Sequence, residues 1–254
     1  MAFRGNRYHF RNAIEVEEYH TAKYGAPGMK RRKKQKATPE QIEKQNQYNK
    51  EKLARRKLRA HFDVHDYFTD LTYRRDARPP DMETAKEDFK KFLREVRKEY
   101  KKRGYELKWM RNIEVGTKGA WHIHLIISRY PETDVILAEA WKHGKAYHQL
   151  MYEKGEFAEL AAYITKTPKT DTRLKESSYS ASRNLPVPEP EEKTYLHWET
   201  WKNIRVPKGY YLDKLSLVEG INPVTGYPYR HYTLLRIHRK EREDVRSQHR
   251  SRSE

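Results

Sequence analysis

The sequence predicts an α+β fold, an antiparallel β-sheet with helices packed on one face, and three observations predict it. Runs rich in β-branched and aromatic residues recur over 63–73, 107–115 and 121–128. Between the first and second lies a long segment whose apolar residues repeat at helical spacing. The second and third are joined by Gly116-Thr117-Lys118-Gly119-Ala120, a connection short enough to make them hairpin partners.

Taken in order, residues 1–37 are polar with scattered aromatics and end in Lys30-Arg31-Arg32-Lys33-Lys34-Gln35-Lys36. Such like charge repels itself, so this stretch reads as a basic flexible arm that orders on a polyanion. Thr38-Pro39-Glu40-Gln41 marks a helix start, with Thr38 as N-cap, Pro39 at the first helical position and Gln41 reaching back. That helix is assigned to 38–60. Its main apolar residues are Ile42, Leu53 and Leu58, few enough to suggest a basic surface helix.

The core is expected over 61–170. Its first strand, Asp63 to Tyr73, is closed by Arg78-Pro79-Pro80. Met82, Ala85, Phe89, Phe92, Val96 and Tyr100 then trace an amphipathic helix ending at Gly104. After the hairpin follow a helix near 134–143, a strand near 146–152 and a helix over 156–166, stopped by Pro168, with Phe157, Leu160, Ala161 and Ile164 on its buried stripe. The order βαββαβα is that of a ferredoxin-like or RRM-like plate. Residues 171–238 form an aromatic-rich C-terminal extension, in which Asn222-Pro223-Val224-Thr225-Gly226 reads as a turn between two aromatic strands. Residues 239–254 read as a charged, disordered tail.

Composition narrows the partners. The formal net charge is +18, and residues 30–59 alone hold thirteen Lys and Arg against three Glu. A polyanion is the physical reading, because neutralising phosphates releases counterions and supplies affinity independent of sequence. The competing reading is a solvated basic helix. There is no cysteine, which excludes disulfides and thiolate metal sites. No run approaches eighteen apolar residues and the first residues lack a signal-peptide core, so a cytoplasmic protein without membrane association is expected. No P-loop signature occurs, so strand opening is expected to need a partner.

Candidate chemistry concentrates in three segments: Tyr67-Phe68-Thr69-Asp70-Leu71-Thr72-Tyr73, Trp121-His122-Ile123-His124-Leu125, and Tyr163-Ile164-Thr165-Lys166. In a strand, residues two apart share a face, so His122 and His124 can both reach one cation. If the hairpin centres on Lys118, Glu114 lies opposite His122 and adds a carboxylate. Mixed N and O ligation with open positions suits Mg²⁺ or Mn²⁺. In a helix, residues three apart are neighbours, so Tyr163 and Lys166 project together as a nucleophile beside a positive charge. With 12 His and 19 Tyr in the chain, neither the His pair nor the tyrosine is telling alone; paired surface histidines and a rim tyrosine compete. His61, Asp63 and His65 also alternate, a pattern read as exposed polar residues rather than a second metal site. Tyr179, Arg183, Trp198 and Trp201 mix rings with basic residues, as expected of a groove that stacks bases, although core packing competes equally for each ring.

Over roughly residues 62–170, the three segments together resemble the HUH endonuclease superfamily, specifically rolling-circle replication initiators with a single catalytic tyrosine. Phe68 to Tyr73 matches the family's aromatic-Thr-Leu-Thr-like strand, His122 to His124 its His-hydrophobic-His strand, and Tyr163 to Lys166 its Tyr-x-x-Lys helix. Asp70 departs from the first motif, where an apolar residue or threonine is usual, and the lone motif tyrosine disfavours the two-tyrosine initiators. The resemblance implies a metal-dependent endonuclease and strand transferase acting on single-stranded DNA at an origin or nick site, with or without a hairpin. It implies a 5′-phosphotyrosine intermediate that starts rolling-circle replication of a plasmid, phage or integrated element, alongside a host helicase and polymerase. Tyr163 and Lys166 would be catalytic, with His122, His124 and Glu114 as ligands of Mg²⁺ or Mn²⁺. Contacts to DNA are assigned to Lys118, Lys169, Arg183, Trp198, Trp201 and Tyr179. Two alternatives stand beside this: a non-catalytic RRM-like binder of single-stranded nucleic acid, and a relaxase or transposase of the same chemistry.

Overall fold

In chain order the elements are β1 (Ala2–His9), β2 (Ala13–Thr21), α1 (Pro39–His61), β3 (Tyr67–Thr72), a 3₁₀ turn (Arg75–Ala77), α2 (Met82–Lys102), β4 (Trp109–Val115), β5 (Trp121–Ile127), α3 (Thr133–Ala140), β6 (Ala146–Leu150), α4 (Ala158–Thr165), β7 (Tyr179–Ala181), β8 (Glu191–Tyr195), β9 (Tyr210–Ile221) and β10 (Pro228–Arg236). This computed structural model describes residues 2–21, 38–116, 119–151, 157–166, 179–195, 203–221 and 228–237. The chain divides into two units, Glu43–Val187 and Met1–Ile42 with Pro188–Glu254.

The unit Glu43–Val187 is the expected α+β domain, an antiparallel five-stranded sheet in the order β6-β3-β5-β4-β7. Period two sorts its side chains. Leu71, Ile113, Ile123, Leu125 and Ile127 point to one face, where they meet Ala85, Phe89, Phe92 and Val96 of α2 and Ile136 and Leu137 of α3. Asp81 caps α2 by accepting from the Thr84 amide at 2.8 Å, and Gly104, at φ 70°, takes the left-handed turn beyond its end. The Tyr100 hydroxyl donates to the Ser128 carbonyl at 2.7 Å, tying α2 to the end of β5. At the sheet margin Gly144 lies so close to Thr72 that a Cβ there would fall 1.9 Å from the Thr72 carbonyl oxygen. Only glycine permits that approach.

Helices are not confined to one face as expected: the opposite face is also covered, at one end. There Phe68, Met110 and Ile126 pack with Ala54 and Leu58 of α1 and with Phe157, Ala161 and Ile164 around α4. Helix α1 begins as expected, the Thr38 amide donating to Gln41 Oε1 at 3.0 Å and the Gln41 amide to Thr38 Oγ1 at 3.3 Å. Its surface placement holds only in part. Ile42 and Leu53 are exposed, but Ala54 and Leu58 are fully buried, and Arg56 and Arg59 are buried beside them, so the stems of basic side chains add to the packed face of a helix with few apolar residues.

The expected strand from Asp63 is shorter. His61 ends α1 and its ring donates to the Pro186 carbonyl at 2.6 Å, while Asp63 and Asp66 organise a turn by accepting from the backbone amides of His65 and Arg129. His61, Asp63 and His65 therefore share no strand face, and their alternation carries no ligand set.

In the other unit, part of the expected arm is sheet. β1 and β2 join β8, β9 and β10 in a second antiparallel sheet ordered β8-β1-β2-β10-β9. Ile14 and Val16 pack with Tyr232 and Leu234, and the charged neighbours are accommodated because Glu18 faces Arg230 in register and pairs with it. The two aromatic strands expected near the C-terminus are β9 and β10; the turn proposed between them, the Lys30–Lys36 run and the tail from 239 lie outside the described residues. Among the described residues no helix is long and apolar enough to cross a membrane.

Candidate active site

Antiparallel register sets side chains in rows across a sheet. On the face opposite α2, one row reads Tyr147, Asp70, His124, Asn112 and Tyr179 along β6, β3, β5, β4 and β7. The next row reads Thr72, His122 and Glu114. The register assumed from the hairpin is thus the one found.

His124 is the hub. Its Nε2 lies 2.8 Å from the Tyr163 hydroxyl and 3.2 Å from Glu114 Oε2, and its Nδ1 is paired with Asp70 Oδ1. The ring stacks on Phe68, with centroids 5.9 Å apart and planes 15° from parallel, and meets Tyr163 edge-on at 4.9 Å. Glu114 faces His122 in register yet leans diagonally onto His124, a reach long side chains have across a strand pair. The His122 ring runs parallel to that of His124, 6.3 Å away. Burial first, then neighbouring His124, lowers the His122 pKa, against the opposing pull of Asp70 and Glu114.

Tyr163 is delivered by α4. Ala161, Ile164 and Thr165 of that helix face inward, which leaves Tyr163 at the edge of the buried stripe, 40% exposed, with its hydroxyl turned to the sheet. The helix is pinned at both ends. Phe157, at φ 63°, holds a left-handed conformation that bulky residues rarely adopt, with its ring buried. At the other end the last carbonyls, which a helix leaves unpaired, accept from Gln47 Nε2 (Thr165, 3.3 Å) and Asn112 Nδ2 (Lys166, 3.3 Å). The Tyr163 hydroxyl is pushed up to about 12, by burial first and then by the Glu114 and Asp70 carboxylates. All three disfavour the phenolate, so a positive charge at this point has direct leverage on the ionisation of Tyr163.

Lys166 does not join this cluster. It stands at the C-cap of α4, its amide donating to the Tyr163 carbonyl at 3.2 Å and its side chain exposed. The i, i+3 expectation assumes that the helix continues through it, whereas the helical turn ends at Thr165. Of the residues assigned to DNA contact, Tyr179 is partly buried against the apolar cluster with Lys50 Nζ 5.6 Å over its ring, so packing accounts for it. Arg183 is exposed, and Lys118, Lys169, Trp198 and Trp201 lie outside the described residues.

Two residues that the motifs do not single out complete the arrangement. Asp70 enters the first motif only as a departure from it, and Asn112 belongs to none. Both flank His124 in its own row, a relation readable from period two only once β5 is known to lie between β3 and β4.

Among the described residues no three His, Asp or Glu side chains stand as a finished metal-binding group. The donor chemistry nevertheless fits a divalent cation: two imidazoles and a carboxylate share one face, and Nε2 of His124 already meets Glu114 Oε2.

Residues 66–168, about two-fifths of the chain, match a family model described as Replication-associated protein. No curated protein and no solved structure matches the chain. The matched span begins just before β3 and runs past α4, so the segment that builds this site is similar to replication-associated proteins.

Proposed function

We propose that this chain is a metal-dependent, tyrosine-nucleophile endonuclease and strand transferase acting on single-stranded DNA to initiate rolling-circle replication. The observation that carries the reading is the 2.8 Å approach of the Tyr163 hydroxyl to His124 Nε2, where Glu114 also arrives. The similarity of 66–168 to replication-associated proteins supports the replicative role.

His122, His124 and Glu114 would hold Mg²⁺ or Mn²⁺. When bound, such a cation supplies Lewis-acid polarisation of a phosphate oxygen and offsets the charge that keeps Tyr163 protonated. Tyr163 Oη attacks the scissile phosphorus, losing its proton as the P–O3′ bond breaks and O3′ gains one. The products are a 5′-phosphotyrosine on Tyr163 and a free 3′-OH that a polymerase can extend. Because one phosphoester replaces another, the reverse attack by a 3′-OH rejoins the strand. Lys166, exposed at the end of α4, would act on the DNA backbone near the nick rather than on the phenol itself. The net charge of +18 supports affinity for the polyanion, which falls as salt rises.

The test is incubation with a pool of labelled single-stranded DNA and Mn²⁺, followed by denaturing electrophoresis. A protein–DNA band lost with EDTA and in Tyr163→Phe is the expected result. Retention of DNA under native conditions with no such band, on a pool containing DNA from the flanking genome, would overturn the reading in favour of a binding module.

A further inference from the structure

We infer that Asp70 is a positioning residue: it holds His124 with the proton on Nδ1, so that the Nε2 lone pair is free to accept from the Tyr163 hydroxyl. The inference rests on the proposed cation site for its consequence, but its structural content stands on the His124 geometry alone.

Asp70 and His124 are cross-strand partners in register, and Asp70 Oδ1 is paired with Nδ1. A carboxylate only accepts, so this contact places a proton on Nδ1 and leaves Nε2 unprotonated in the neutral ring. Nε2 then accepts from the Tyr163 hydroxyl at 2.8 Å. Glu114 Oε2, 3.2 Å from the same nitrogen, is left as one acceptor facing another, an arrangement that a bridging cation satisfies. Phe68 stacked beneath the ring and Tyr163 against its edge block other ring orientations. The chain thus supplies His124 with a carboxylate on its outer nitrogen, the partner that orients metal-binding histidines and raises their basicity. A threonine or apolar residue at position 70 could not hold the ring in this way with a negative charge.

Two readouts test this without DNA. Long-range ¹⁵N–¹H correlation spectra of histidine-labelled protein, recorded near neutral pH with no cation added, report which nitrogen of His124 bears the proton. Wild type should show Nδ1 protonated and Nε2 bare, whereas Asp70→Leu should move the proton to Nε2. Mn²⁺ affinity, read from the EPR signal of free Mn²⁺, should weaken by about 10- to 100-fold in Asp70→Leu and less in Asp70→Asn, whose amide oxygen can still accept from Nδ1. Should the leucine variant fail to fold, Asp70→Asn carries the test with an expected loss of several-fold. A wild-type His124 protonated on Nε2 or on both nitrogens overturns the assignment. So does unchanged Mn²⁺ affinity in both variants, or complete loss of Mn²⁺ binding in Asp70→Asn, which would mark a direct ligand. Failure of the nuclease reading would show separately, as wild-type protein with the expected tautomer and Mn²⁺ affinity but no covalent DNA adduct.

Discussion

The two faces of the sheet in Glu43–Val187 are built from alternate residues of the same strands, yet they have opposite characters. On β5, Ile123, Leu125 and Ile127 are fully buried under α2 and α3, while His122 and His124 between and before them stand among Asp70, Glu114 and Tyr163. One face fixes strand spacing through close packing, and the other uses that spacing to bring polar atoms within hydrogen-bond range. Rigidity and chemistry are separated by one residue, so neighbouring substitutions should have unlike effects.

The largest expected effect is on the polar face. Tyr163→Phe keeps the ring contacts with Phe68 and His124 but removes the hydroxyl proposed as nucleophile, so covalent capture of DNA should fall by about 10³-fold or more while thermal melting and DNA retention stay as in wild type. Capture surviving in this variant would sink the assignment of the nucleophile. On the packed face, Ile123→Ala should lower stability by about 2–5 kcal/mol in denaturant unfolding, because it opens a cavity in a fully buried site. Its neighbour His122→Ala should change stability by no more than about 0.5 kcal/mol, yet weaken Mn²⁺ binding. Equal stability losses at 122 and 123 would break the contrast between faces.

Asn112→Ala tests how α4 is held to the polar face. Loss of its bond to the Lys166 carbonyl should cost about 1 kcal/mol and speed amide hydrogen exchange in α4 more than in β5. Uniform exchange rates would deny Asn112 a role in holding the helix. The smallest effect is a titration. With Tyr163 raised to about 12, the absorbance difference at 295 nm between wild type and Tyr163→Phe should emerge well above the ordinary tyrosine value near 10. Since the folded value is the higher one, this group's contribution to stability is complete below pH 10 and lost as pH rises through 12.

The span from β3 to α4 is legible in the sequence because each element carries a strong local signal: apolar alternation in β5, the stripe from Met82 to Tyr100, and glycines in the hairpin. The second sheet is not. Strand β2 carries Glu15, Glu17 and Glu18, and its partner β10 lies some two hundred residues away, so nothing local announces that Glu18 will be matched by Arg230. In the site, spacing within one strand, hairpin or helix makes His122, His124, Glu114 and Tyr163 candidates, and the family resemblance of the three segments taken together singles them out. Asp70 and Asn112 come beside His124 only through strand order, which spacing along the chain does not encode, and the end of α4 at Thr165 turns on a cap rather than on periodicity.

The central claim is that Tyr163, seated on His124, is the residue that joins DNA. Protease digestion of the covalent adduct and tandem mass spectrometry identify the modified residue directly. The expected result is a nucleotide phosphodiester on the peptide containing Tyr163 and on no other of the 19 tyrosines. The same mass on a different tyrosine, or an adduct that forms in Tyr163→Phe, would contradict it.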